Sequence, residues 1–503
     1  MSASNRQLTK TGLLSAGILL VAALLVIVNY FGWKYHKRFD WTASALYSLS
    51  EKSEKVLKGL DRDVEIVVLI SPQKSQGLFE PTRELLDRYA AESRRLKVRF
   101  VDPERNPVEA QQLARRYGLE NASVVFASGD KTKVVDASDL AEYDYSSMGM
   151  GGPPTVSAFK GEQKFTNALI QLGQTKAPKV RFTTGHGEAA LDGPEERGLS
   201  SLRELLKGDG YEVEEWASLG QASVPADTDL LVIAGPQANF VAPEIDAIGA
   251  YLARGGRLLA LLDPVLSRTS PTLVATGLEP LLAKYGVQVE NDLVVDPSNP
   301  LPMFGAETLF SNVYGQHPIV EPLSRQGLPM LVSLARSVRP ASGPEGAKVT
   351  ELLKTSPAGW GETNFAALDK VGQDGADLPG PLVLGVAVGG ASSPPPPADD
   401  EAPAPPPPAD DPNAPRLVVF GDSDLATNQF WNVNVGNANA IANAVNWLVE
   451  RKDLIAIPPK KTEPMHLTLD GSQLRTVWLL VLGLLPGLAI AAAIGVRMRR
   501  RRR

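Results

Sequence analysis

Residues 229–264 read DLLVIAGPQANFVAPEIDAIGAYLARGGRLLALLDP, and this stretch decides the fold. Two stretches, 229–234 and 257–262, are apolar after a charged first residue and are the length of strands, and each is closed by a turn dipeptide, Gly235-Pro236 and Asp263-Pro264. Between them the sequence predicts a helix over 243–253 that leaves through Arg254-Gly255-Gly256. A strand that returns through a helix to a second fully apolar strand belongs to a parallel sheet covered on both faces. Outward from this unit the alternation continues. Upstream it predicts a strand over 179–183 running into Thr184-Gly185-His186-Gly187-Glu188, a helix over 199–206 and a strand over 213–216. Downstream come strands over 382–388 and 417–420 and a helix over 437–449, whose Ile441, Ala444, Val445 and Leu448 recur at i, i+3, i+4 and i+7. The expected fold class is α/β.

Nearer the N-terminus, Ser50 is a good cap for a helix that runs to Leu60. A buried-type strand over 64–70, a helix over 81–94, a strand over 96–101 and a helix ending at Tyr117-Gly118 follow. The strands 123–127 and 133–136 then pair across Ser128-Gly129-Asp130. Strand, helix, strand, helix and hairpin make the order of a thioredoxin-like domain, expected over 40–148, and the large alternating region resembles a flavodoxin-like or class I amidotransferase-like domain, expected over 155–470. Neither carries the chemistry of its namesake: the chain has no cysteine, which removes CxxC redox activity, a Cys nucleophile, disulfides and thiolate metal sites. Residues 149–154 (GMGGPP) read as a loop. Residues 265–380 hold short strands among many prolines and glycines, including Leu352-Leu353-Lys354-Thr355-Ser356 and Trp360-Gly361-Glu362. Residues 391–415 hold PPPPADD twice, a composition that forms no core, and read as an insertion at a loop tip between two strands.

Two apolar stretches lie toward the ends. Residues 11–33 and 476–496 carry no charge and are bounded by Lys10 and Lys34, and by Arg475 and Arg497. Each is long enough for a membrane-spanning helix. The first exceeds a signal-peptide apolar region and lacks a nearby cleavage site, so it reads as an uncleaved anchor. Six arginines in 497–503 make that tail cytoplasmic by the positive-inside rule. With two spans the N-terminal residues 1–10 are cytoplasmic too. The expected placement is therefore a two-span protein of the bacterial inner membrane, in contact with lipid, with its main domains periplasmic.

Among 503 residues with a net charge of −6, nothing suggests a nucleic-acid partner. No GxxxxGK[ST] occurs, so the chain is not itself an ATPase of the P-loop type. Its four histidines are scattered, without metal-ligand spacing, and no cofactor is expected. Two clusters bear chemistry. Thr184, Gly185, His186, Gly187 and Glu188 sit where a strand ends and a helix approaches, the place where open α/β sheets bind ligands, and they read either as a ligand or partner site or as a tight turn. Asp422, Ser423 and Asp424, in Phe420-Gly421-Asp422-Ser423, invite comparison with GDSL-type esterases, whose serine is the nucleophile. The partners such a hydrolase needs are missing: the one downstream histidine, His466, has no aspartate three residues before it. An Asp/Ser turn is the alternative.

The run YSLSEKSEKVLKGLDRDVEIVVL (residues 47–69), TGHGE, LLKTSPAGWGE, GDSDLATNQF (421–430) and NANAIANAVNWL (437–448), in this order between two apolar ends, resembles the GldG-like proteins. These are auxiliary components of gliding-motility-associated ABC transport systems. The resemblance implies a non-enzymatic accessory subunit that works with a separate ABC ATPase and a multi-span permease. It carries over no catalytic residue.

Overall fold

The computed structural model describes residues 48–144, 155–389 and 415–455, apart from 76, 302–303, 342–347, 367–370, 432, 434 and 452–453, together with the single positions 24, 494 and 498. Among the described residues, those from Glu51 to Ile455 form one compact unit. The described residues hold six sheets, of which two are the largest.

The first sheet holds β1 (Val64–Leu69), β2 (Leu96–Phe100), β3 (Ser123–Ser128) and β4 (Lys131–Asp136) in the order β2-β1-β3-β4. β1 runs parallel to β2 and antiparallel to β3, and β3 and β4 form the expected hairpin. Helix α1 (Glu51–Lys58) precedes the sheet, while α2 (Phe79–Glu92) and α3 (Pro107–Tyr117) connect its strands, α3 ending in a left-handed Gly118. A short pair, β5 (Ala141–Asp144) with β6 (Thr155–Phe159), leads to α4 (Gly161–Gly173), which sequence reading left unassigned. Phe165 of α4 packs its ring 5.4 Å from that of Phe126 and 6.4 Å from that of Tyr89, closing the first core.

The second sheet is larger. Its strands are β7 (Lys179–Thr184), β8 (Glu212–Ala217), β9 (Leu230–Ala234), β10 (Arg257–Leu261), β11 (Val313–Tyr314), β12 (Val349–Lys354), β13 (Val383–Val388) and β14 (Arg416–Phe420), in the order β11-β12-β13-β14-β10-β9-β7-β8. The strands from β14 to β8 are parallel as expected, but β13, β12 and β11 add antiparallel at one edge, so the sheet is mixed. Residues 391–415 therefore connect two antiparallel neighbours, β13 and β14; most of that stretch, like 149–154, lies outside the described residues.

Alternation along each strand divides the core in two. Leu230, Val232 and Ala234 of β9 face the layer containing α5 (Ser200–Gly208) and α7 (Asn437–Leu448), whereas Leu231 and Ile233 face α6 (Ala242–Ala253). All five are almost without solvent exposure, and burying each of the Leu, Val and Ile side chains contributes roughly 1.5–3 kcal/mol.

Helix α1 ties the sheets together. Lys52 reaches Asp209 at 2.5 Å with both side chains buried, Ser53 and Thr166 share a hydrogen bond of 2.8 Å, and Lys55 donates to the carbonyl of Ile455 at 2.6 Å. Arg451 donates to the carbonyl of Asp209 and stacks over Tyr211.

The expected flanking helices are corrected. Among the described residues no helix is long and apolar enough to cross a membrane. The longest, α2, has 14 residues, about 21 Å at 1.5 Å per residue, and is studded with charge. Apart from the single positions 24 and 494, residues 11–33 and 476–496 lie outside the described residues. Two membrane helices flanking the domains, and with them the two-span inner-membrane placement with periplasmic domains and cytoplasmic ends, are not supported.

Candidate functional site

In a parallel sheet the loops that follow the strands all emerge at one edge. Here the loops after β7, β9, β10 and β14 meet, and both clusters singled out in the sequence lie among them.

The loop after β7 is closed by its own chemistry. His186 stacks on Phe240, centroids 3.8 Å apart, with its Nε2 3.0 Å from Glu244 Oε2 and its Nδ1 3.4 Å from Glu188 Oε1. The His186 N–H donates to the other Glu188 oxygen at 2.7 Å. Glu244, at the start of α6, also accepts from the Ser218 hydroxyl (2.7 Å) and the Val241 N–H (3.0 Å). Burial pushes the Glu244 carboxyl up, but the Ser218 hydroxyl, the Val241 N–H and His186 outweigh it and hold the group below its ordinary value. His186, Glu188 and Glu244 are all buried. Gly187 takes φ +81°, and a Cβ there would stand 3.0 Å from that of Gln237, whose N–H donates to the His186 carbonyl. The imidazole is a strut between two carboxylates. Thr184 ends the strand and Gly185 turns it.

The loop after β14 is set differently. Asp422 accepts from the Ser333 N–H (2.9 Å) and from the Asp424 N–H (2.7 Å). Ser423 gives its N–H and its hydroxyl to the two oxygens of Asp263, at 2.6 and 2.8 Å. Asp263 follows β10, and the parallel pairing of Leu261 with Phe420 brings these residues side by side. Gly235, with φ +65°, passes so close that a Cβ would lie 2.6 Å from the Ser423 hydroxyl. Burial and, second, the neighbouring acids raise Asp422 well above its usual value. Burial, then Asp263, lifts Asp424 to about 6. Burial raises Asp263 against the opposing pull of Ser423 and the nearby Arg197 and Arg336.

Ser423 has no base. Among the described residues the histidines are His186, engaged as above, and His317, whose ring lies 4.8 Å from Trp447 and whose Nδ1 accepts from the Ile319 N–H. Burial, with Lys348 adding to it, pulls His317 down to about 4.

Above this loop opens a cavity of about 740 Å³, lined among others by Arg197, Gln237, Asp263, Arg268, Leu334 and Asp424. Of the residues expected from sequence, Asp424 lines it; Asp422, Ser423 and the loop from Thr184 to Glu188 are not in its lining. Arg197, Gln237, Asp263 and Arg268 were missed, although Asp263 directly follows a predicted central strand, the position that open sheets use for ligands. Among the described residues no group of three or more His, Asp or Glu is placed to hold a metal ion.

A family described as an ABC-type uncharacterized transport system, ABC_transp_aux, matches residues 177–450, more than half of the chain. The chain belongs to this family. As an ABC_transp_aux member it is an auxiliary component of an ABC-type transport system and works with such a system. The match spans the large sheet and every residue of the cavity. A domain of unknown function, DUF7088, matches residues 43–138, over the first sheet. No curated protein matches. Among solved structures the chain is similar to the mmIFT52 N-terminal domain, with 17% identity over 54% of this chain and 97% of that one and a TM-score of 0.38. It is also similar to a protein described as ThuA-like from Bacteroides uniformis ATCC 8492, with 14% identity over 55% and 94% and a TM-score of 0.28. A third is the exo-beta-1,4-mannosidase Op5Man5 from Opitutaceae bacterium strain TAV5, with 12% identity over 78% and 51% and a TM-score of 0.27. At such scores these likenesses establish neither fold nor function for the ABC_transp_aux chain.

Proposed function

We propose that the chain is a non-enzymatic, GldG-like accessory subunit that contributes binding, not chemistry, to a transport system whose ATP is hydrolysed by a separate ABC ATPase acting on a permease. The observation that carries this reading is the state of Ser423. Its hydroxyl is donated to Asp263, its side chain is buried, and no histidine among the described residues stands within reach of it. A hydroxyl that shares one carboxylate with its own backbone N–H, with no histidine beside it among the described residues, fits a turn fastener better than a nucleophile. The lack of a P-loop supports nucleotide hydrolysis by a partner, and the motif order from TGHGE to NANAIANAVNWL supports the gliding-associated branch of such systems.

Affinity purification of the full chain tests it. An ATPase and a permease recovered in constant ratio support the reading, and their absence overturns it. Ser423→Ala separates the hydrolase alternative. Retained transport with Ser423→Ala supports the accessory role, while complete loss with an intact complex identifies a nucleophile.

A further inference from the structure

Four charges line the cavity beside Asp263, and they are not equivalent. Asp263 is fully used by Ser423, and Arg197 approaches it at 3.9 Å, so this pair balances itself within the protein. Arg268 makes no hydrogen bond or ion pair with any described residue. It is exposed and lines the cavity from a loop whose backbone closes on itself, Val274 donating to Val265 at 2.7 Å and Ser267 to Thr272 at 2.8 Å. Half-buried Asp424 has one side-chain bond, a long 3.5 Å donation from the Thr427 hydroxyl. One unspent cation and one under-bonded acid therefore face the same space.

The remaining lining suits what would join them. Gln237 gives one amide N–H to the Gly235 carbonyl and keeps its carbonyl oxygen, and Gln429 stands nearby. Val265, Leu266, Val274 and Leu334 form an apolar wall. Leu334 is 53% exposed and holds φ +48°, a left-handed backbone that a leucine rarely adopts and that clusters at functional sites. Among the described residues no aromatic ring lines the cavity, so none of them offers the stacking face a nucleobase uses. The volume lies within the range of small-ligand pockets.

We propose that this cavity binds a short zwitterionic peptide, with the peptide carboxylate at Arg268, its ammonium at Asp424, its amide at Gln237 and an apolar side chain against Leu266 and Leu334. The proposal rests on the reading of the chain as a binding component. It fails separately from that reading, because co-purification with an ATPase and a permease does not depend on which ligand is bound.

Calorimetric titration of the full chain with the tripeptide Ala-Leu-Ala, its N-acetyl form and its C-terminal amide provides the test. Each cap is expected to weaken binding about tenfold. Asp424→Asn should abolish the penalty for acetylation and keep that for amidation, and Arg268→Gln should do the reverse. Leu266→Trp, which fills the cavity from an exposed position, should abolish binding altogether while the denaturation midpoint stays unchanged. Equal affinity for all three peptides, or heat from none of them with a folded chain, overturns the proposal. So does discrimination that survives both charge variants.

Discussion

The loops after β7 and β14 carry similar residues to the same sheet edge and end in opposite conditions. In the first, His186 is enclosed by Glu188, Glu244 and Phe240, and every polar atom of its ring faces an acid of the protein itself. In the second, Ser423 and Asp422 are enclosed in the same manner, but Asp424 is left half-open beneath a cavity. Residue type alone does not separate a strut from a site. What separates them is whether the neighbouring chain has already consumed the group's hydrogen-bonding capacity.

The contrast can be broken most forcefully at Glu244. Glu244→Ala removes the acceptor of Ser218, Val241 and His186 at once and is expected to cost about 3 kcal/mol in urea denaturation, the scale for one partner stripped from a buried network. A loss below about 1 kcal/mol would mean the strut bears no weight. Next comes Gly235→Val, which combines a left-handed backbone with a Cβ 2.6 Å from the Ser423 hydroxyl; a loss of about 2 kcal/mol and a changed Ser423 environment are expected. Ser423→Ala should cost about 1 kcal/mol, the ordinary value of a buried hydrogen bond, measured by the same denaturation.

The gentlest change sharpens the comparison. With its folded-state value lifted to about 6 from an ordinary 3.8, Asp424 holds its proton more tightly in the folded chain than in the unfolded one. Its contribution to stability is therefore complete below about pH 4 and falls away as pH rises through about 6. Raised Asp263 and Asp422 add to that slope in the same direction, while Arg197 opposes it. Asp424→Asn should flatten the urea midpoint between about pH 4.5 and pH 7, with a gain below about 1 kcal/mol at the upper end. An unchanged slope would place the titration on other groups.

Much of the framework was readable from local pattern. The apolar runs of β9 and β10, the helix between them and the hairpin of β3 and β4 stand within one or two residues of where their sequences put them. Helix α4 escaped notice because Lys160 at its N-cap and Gln174 at its C-cap give no boundary signal, although Phe165, Leu169 and Leu172 recur at helical spacing. The antiparallel edge was hidden for a different reason. β12 joins the sheet through a register irregularity at Glu351–Lys354, and its partner β13 is a distant segment. The cavity was the least legible part. Asp263 meets Ser423 across 160 residues of chain, and only the pairing of β10 with β14 creates that meeting. Arg268 lies in a loop with no periodicity to attract attention.

Phe165 carries one practical consequence. The ring that seals Phe126 and Tyr89 comes from residues 161–173, beyond the end of the segment 43–138 that DUF7088 recognises. Excised at that boundary, the N-terminal piece would leave two aromatic rings facing water and would tend to aggregate. Recombinant versions of it should extend through Gly173, and swaps between relatives should exchange that helix together with the strands it caps.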